Sequence, residues 1–268
     1  IDNTRPQVTS IISYNKTGIP YKNGDLITCQ VNLNEDLYFS HTDSNDPFNP
    51  KIKFSKGAES QEMLLSYDGA NMFQLDQNNN LTLTGDGEYD VTIIGYDSVL
   101  NLVDNSVSFD GNTIIIDNTP PNPPTDIKLK EGLGQDTGDS STDNITKNTN
   151  LTIVGSAENG STVKLFTGVD FNTQIGDQFI AESGTYEIQN EFTDGIHIIK
   201  AQATDPAGNV SEFSNTDSLI LTVDTLVPVP TITVTPGNGS VINLYNRNLS
   251  INIQFNKNNV NLTADKIY

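Results

Sequence analysis

Tryptophan is absent from the chain, cysteine occurs once and histidine twice. Each shortage closes off a class of activity. Without tryptophan there is no broad ring on which a sugar could stack. Paired carboxylates for glycoside hydrolysis are abundant, but no cleft-forming insertion exists beyond 41–62 to hold a substrate between them. One cysteine cannot form an intramolecular disulfide, and Cys29 alternates with apolar neighbours in "LITCQVNL", which reads as core packing. Two histidines, His41 in a loop and His197 in an alternating strand with its ring expected to face solvent, cannot assemble a Ser-His-Asp or zinc set. Bases are scarce as well: 14 Lys and Arg stand against 34 Asp and Glu, for a formal net charge of −20. That balance repels nucleic acid and anionic membrane surfaces and makes cations the natural partners. No apolar run approaches ~18 residues and no basic stretch leads into an apolar one, so neither direct membrane insertion nor a signal peptide is expected. The expectation is a protein that is not an enzyme.

The pattern that is present has a period of two. "VTSIISY", "LITCQVNL", "KIKFS", "EMLLSY", "LTLTG", "YDVTIIGYD" and "NTIIID" are short, rich in Ile, Val, Thr and Tyr, and bounded by Gly, Asn, Asp and Pro clusters. After a proline-rich break come "TDIKLK", "LTIVGSA", "TVKLFTG", "DQFIAES", "TYEIQNEF", "IHIIKAQATD" and "SLILTVD". No stretch has the periodicity of an amphipathic helix. About seven short strands per ~100 residues predicts an all-β chain of antiparallel sandwiches of immunoglobulin type.

Two phrases recur. A β-branched run ending in aspartate and then stalling on proline occurs at Asp2, Asp117 and Asp224, and "DGEYDVTIIGYDSVLN" (86–101) aligns with "DGIHIIKAQATDPAGN" (194–209). The repeats therefore run over 3–118 and 119–226, with an incomplete third over 227–268. The opening "ID" reads as the tail of a preceding repeat, so the chain is expected to be a window on a tandem array. Prolines 120, 121, 123 and 124 remove backbone donors and stiffen the crossing, which should hold consecutive sandwiches end to end.

The second repeat, "DTGDSSTDNITKNTNLTIVGSAENGSTVKLF…DGIHIIKAQATDPAGNVSEFSNTDSLILTVDT", resembles the bacterial immunoglobulin-like repeats of very large cell-surface adhesins, the extender arrays of biofilm-associated and repeats-in-toxin adhesins. The first repeat and the fragment "LSINIQFNKNNVNLTADKI" are similar to a related repeat type, with "SVLN" in place of the usual "xAGN". The resemblance implies a cell-surface, extracellular location, a structural or adhesive role, and Ca2+ at the junctions between modules. The partners it implies are neighbouring repeats of the same chain and, in a surface assembly, other copies of it.

Sandwich geometry says where such an ion would sit. The start of the first strand and the BC and FG loops gather at one pole; the AB loop, EF corner and end of the last strand gather at the other. At the first internal joint, Asp117 and the EF-corner Asp86 meet Asp205 and Asn209 of the next FG loop and Glu158 of its BC turn. At the next joint, Asp224 and Asp194 meet the AB loop with Asp136, Asp139 and Asp143. At the N-terminus the set is Asp2, Glu35, Asp36, Asp97 and Asn101. Carboxylates crowded together repel and raise one another's pKa unless a cation intervenes, and a hard ion with 6 to 8 oxygen ligands suits Asp, Asn and carbonyl donors.

Other readings of the same residues stand beside this one. D-x-x-x-N in a loop is also Asx-turn chemistry, the acidic AB loop is also a solvated loop, and the D-G pairs at 86–87 and 194–195 are turn formers. For the whole chain, the leading expectation is a spacer or stalk of a long adhesin. The alternatives are a surface-layer lattice protein built of similar sandwiches and an accessory ligand- or glycan-binding module of a secreted protein.

Overall fold

The structure, a computed structural model, describes residues 2–40, 43, 46–69, 71–75, 80–132, 134–138, 140–214, 218–235 and 250–256. Among these residues every regular element is a strand. The first eight are β1 (Val8–Ile12), β2 (Cys29–Leu33), β3 (Lys51–Lys56), β4 (Glu59–Leu64), β5 (Ser66–Gly69), β6 (Met72–Leu75), β7 (Gly87–Ile94) and β8 (Thr113–Ile116). They form two antiparallel sheets in the orders β1-β2-β6-β5 and β4-β3-β7-β8. The period-two sequence explains the packing. In β2, Cys29, Val31 and Leu33 point inward while Gln30 and Asn32 point out. Val31, Ile52, Phe54, Phe73 and Tyr89 are completely buried between the sheets, each burial contributing about 1.5–3 kcal/mol.

The next eight strands build a second sandwich: β9 (Thr125–Leu129), β10 (Ile145–Thr146), β11 (Asn150–Ser156), β12 (Thr162–Thr167), β13 (Thr173–Ile180), β14 (Thr185–Glu191), β15 (Gly195–Thr204) and β16 (Leu219–Val223). Their sheets run β14-β11-β9 and β10-β16-β15-β12-β13, and β10 lies parallel to β16. The opening strand is thus split, β9 joining one sheet and β10 the other. A separate core fills this sandwich, with Leu151, Ile153, Val163, Leu165, Ile199, Ala201 and Leu221 fully buried. The chain is all-β, two immunoglobulin-type sandwiches in tandem. Beyond them β17 (Pro230–Thr235) pairs antiparallel with β18 (Ser250–Phe255). Residues 236–249 and 257–268 lie outside the described residues, as do His41 and Asp139.

Two local expectations are corrected. "LTLTG" (81–85) forms no ladder: Leu81 and Leu83 are buried, but the Thr82 and Thr84 amides donate to side chains of β4, Gln61 Oε1 and Glu59 Oε1, each at 2.7 Å. The E strand of the first sandwich is instead β6. His197 is half-buried on the inner side of its strand; its neighbours Ile196 and Ile198 are the ones that face solvent, at 71% and 46% exposed. The ring packs edge-on against Phe192 at 5.1 Å, and Nε2 pairs with the Thr193 carbonyl at 2.8 Å. In the first sandwich the corresponding residue, Tyr89, donates its hydroxyl to the Gly85 carbonyl at 2.9 Å and to the Glu59 carboxylate. Burial and that carboxylate push its pKa up to about 12.

Candidate metal centre

The turn after β7 is shaped by Asp97. Its Oδ1 accepts the amides of Val99 and Asn101, both at 2.8 Å, and its Oδ2 accepts Asn101 Nδ2 at 2.7 Å. The same Asn101 Nδ2 reaches the main-chain oxygen of Asp2 at 3.2 Å, so the turn grips the chain where it enters the sandwich. The turn after β15 repeats the arrangement. Asp205 Oδ1 accepts Gly208 N at 2.7 Å and Asn209 N at 2.8 Å, and Asn209 Nδ2 donates to Asp205 Oδ2 and to the main-chain oxygen of Asp117, both at 2.8 Å. The D-x-x-x-N phrase is therefore Asx-turn chemistry, as one sequence reading held. It also carries a second role that spacing does not reveal, since its asparagine ties each sandwich to the aspartate ending the preceding phrase.

Only one acidic cluster with metal-binding geometry occurs among the described residues. Asp2, Glu35 and Asp97 bring one carboxylate oxygen each to within 4.8 Å of one another. Asp97 is buried and Glu35 partly so, and Glu35 Oε1 is a buried oxygen that accepts no hydrogen bond. Burial, then the negative charges of Asp2 and Asp97, raise the Glu35 pKa. Burial pushes Asp97 in the same direction, but the hydrogen bonds from Asn101, Val99 and Leu100 outweigh it and hold its carboxyl below the ordinary value. An orphan oxygen among three carboxylates, two of them with opposed pKa shifts, fits an oxygen-seeking cation. The absence of His and Cys from the cluster favours a hard ion over zinc. Asp36 points away, its Oδ1 accepting the Asn71 amide at 2.7 Å.

The remaining acids are placed differently. Asp86 is turned onto the outgoing linker. Its oxygens accept Asn118 N at 2.6 Å and the Thr119 hydroxyl, which together with Lys56 hold its carboxyl below the usual range. Asp194 does the same to Thr225, accepting its amide at 2.8 Å and its hydroxyl at 3.0 Å. These EF-corner acids aim the outgoing linker. Asp117 and Asp224 cap their own turns, taking the amides of Thr119 and Leu226 at 3.1 Å. Glu158 is exposed, and its carbonyl accepts the Ser161 amide and hydroxyl at 3.1 and 2.7 Å. In the AB loop, Asp136 Oδ2 accepts Asn144 N at 3.0 Å and Asp143 Oδ1 accepts Ile145 N at 3.1 Å, while Asp136 Oδ1 is buried without a hydrogen-bond partner.

At the joint between the sandwiches the charged groups include lysines that sequence reasoning passed over. Lys22 Nζ of the first AB loop donates to the Gly208 carbonyl, and Lys16 Nζ to the Ala207 carbonyl at 3.4 Å. Nothing in their local sequence marks them, because their acceptors are main-chain oxygens on another module.

Comparison with known sequence families agrees with the fold of the second sandwich. Residues 123–225 match a family described as a bacterial Ig-like domain. No curated protein sequence matches the chain. Among solved structures, the FN1-FN3 domains of chicken CNTN1 are similar at 11% identity and a TM-score of 0.37, over 81% of this chain and 66% of that one. The fibronectin(III)-like modules of Clostridium thermocellum CbhA are similar at 16% identity and a TM-score of 0.33, over 80% of this chain and 93% of theirs. The human OSCAR ligand-binding domain is similar at 9% identity and a TM-score of 0.36, over 81% of this chain and 99% of that one. Bacterial Ig-like domains commonly occur in extracellular and surface proteins and are typically non-catalytic.

Proposed function

We propose that the chain is a non-catalytic spacer segment of a long bacterial cell-surface adhesin, stiffened by Ca2+ at the entrance to its first sandwich. One observation carries this reading. The asparagine of each FG turn reaches the carbonyl of an aspartate that ends the preceding phrase, Asn101 to Asp2 and Asn209 to Asp117. The same turn gripping the incoming chain at the entrance of both sandwiches is a rule for setting modules in line. Asp2, Glu35 and Asp97 would hold the ion, which supplies positive charge where three carboxylates otherwise repel. Around it, Asn101 fixes Asp97 and the Asp2 backbone in place.

The test is calcium titration of the full chain by calorimetry and thermal unfolding. Extracellular modules bind this ion at ~10⁻⁴–10⁻³ M, so calcium at ten- to a hundredfold excess should stabilise the first sandwich by about 1.4–2.7 kcal/mol. Glu35→Gln should remove that gain. A melting profile indifferent to calcium in the native chain would refute the ion's role.

A second reading, a surface-layer lattice, is favoured by the outer face of the five-stranded sheet. Ile145, Ile196, Ile198 and Ile220 lie exposed there, where β7 of the first sandwich carries Glu88, Asp90 and Thr92. Concentration-dependent sedimentation would favour the lattice over the stalk.

A further inference from the structure

The joint between the two sandwiches is built around ammonium groups. Asp205 draws the Gly208 and Asn209 amides toward its Oδ1, which leaves the Ala207 and Gly208 carbonyls as acceptors toward the first sandwich. Gly208 adopts φ +94, a conformation glycine allows, and a Cβ there would lie 3.4 Å from Lys22 Nζ. On the other side the first AB loop is braced by Asp25. Its Oδ2 accepts the Lys22 amide at 2.8 Å and Lys16 Nζ at 2.6 Å. Lys16 Nζ also reaches the Pro20 carbonyl at 3.4 Å and lies 5.4 Å from the Tyr21 ring centre. Asp25 thus braces the Lys16 ammonium and the Lys22 main chain, and both side chains reach across the joint.

We propose that the FG turn of the second sandwich is a receptor for lysine ammonium groups of the preceding module, so that this joint is locked by a built-in cation and needs no metal ion. The N-terminal entrance has the same turn, with Leu100 at φ +71 where Gly208 stands. It gathers Asp2, Glu35 and Asp97 instead of lysines. One chain would then hold two kinds of joint, one answering to a divalent cation and one indifferent to it. A divalent ion approaching the Ala207 and Gly208 carbonyls would be repelled by the two ammonium groups already there. The partner this FG turn fits is a sandwich whose AB loop presents a lysine braced by an aspartate, which sets which module can precede it. The inference stands whether or not the N-terminal cluster binds calcium.

The experiment uses the full chain with spin labels at Glu88→Cys and Gln178→Cys, both exposed positions on different sandwiches, while buried Cys29 stays unlabelled. Pulsed-EPR distance distributions are recorded with calcium and with EGTA, for the parent and for Lys16→Met/Lys22→Met. The expected result is a narrow distribution in the parent, unchanged by EGTA, that broadens about twofold or more in the double variant, as for modules joined by a small polar interface. Broadening of the parent by EGTA, or an equally narrow distribution in the double variant, would overturn the proposal. Circular dichroism checks that the variant folds. If it does not, the EGTA arm on the parent decides alone, an unchanged width supporting the lysine lock and a broadened one sinking it.

Discussion

Removing the side-chain amide of Asn209 should have a cost that can be worked out contact by contact. Asn209→Ala deletes two hydrogen bonds of 2.8 Å, one to the carboxylate of Asp205 and one to the Asp117 carbonyl. Asp205 is only 6% exposed, and a bond to a charged group in such a place contributes about 1.5–3 kcal/mol. Its other oxygen keeps both backbone donors, so a single lone-pair site is stripped and no larger penalty is expected. The bond to Asp117 joins neutral groups and is worth about 0.5–1.5 kcal/mol, but it spans the joint and stabilises docking more than either sandwich. For a domain of this size, about 4–8 °C accompanies each kcal/mol, so the second sandwich should melt about 6–24 °C lower. Scanning calorimetry of the full chain reads this directly. The relevant transition is the one that moves under Leu165→Val and not under Ile52→Val, since each side chain is fully buried in one core only. Asn209→Asp should be worse than alanine at neutral pH, because it sets a like charge where a donor stood. An unmoved second transition, or an equal drop in both, would refute the reasoning.

Three further outcomes follow from the same geometry. Cys29, whose thiol burial pushes up to about 12, should resist a thiol reagent at mildly alkaline pH in the native chain and react fully in denaturant. Gly111→Ala should lower the first sandwich's stability by about 2 kcal/mol or more, because Gly111 sits at φ +84 and a Cβ would fall 2.2 Å from the Ile11 carbonyl oxygen. Refolding yield and denaturant midpoint measure it. Glu35 is held above its ordinary pKa by burial, Asp2 and Asp97, so without metal its contribution opposes folding as pH rises from the unfolded-state carboxylate pKa to the higher native one. Calcium must displace that proton, so affinity should fall and proton release should rise as the titration is repeated at lower pH across the carboxylate range. Calorimetry in buffers of different ionisation enthalpy detects the release, and its absence would remove Glu35 from the site.

Strand content and tandem order were legible because alternation is a local property. Cys29, Val31 and Leu33 declare their face without reference to any other part of the chain. Where the structure departs from that reading, the deciding partner lies elsewhere in sequence. "LTLTG" alternates like a strand, yet its amides are taken by Gln61 and Glu59. His197 reads as solvent-facing because its neighbours are isoleucines, until the register with β16 sets Ile198 opposite exposed Ile220. At the site, the poles of a sandwich were enough to bring Asp2, Glu35 and Asp97 together. They could not show that Asp86 would turn onto Asn118 and Thr119, or that Lys16 and Lys22 would cross to carbonyls almost two hundred residues away, because main-chain acceptors leave no trace in residue identity.

The parallel pairing of β10 with β16 bears on what the chain can withstand when its ends are pulled. Thr222 donates to the Asn144 carbonyl at 2.8 Å and Asp224 to that of Thr146 at 2.9 Å. In the first sandwich, Tyr21 donates to Ile115 and Asp117 donates back to Tyr21, each at 2.8 Å. In both sandwiches, then, the entering segment runs alongside the departing strand in the same direction. Tension draws the two past each other lengthwise, loading these bonds together in shear instead of peeling them open one by one. Rupture would require several to fail at once, so a tether of such units would yield abruptly at high load and stay near its full length below it.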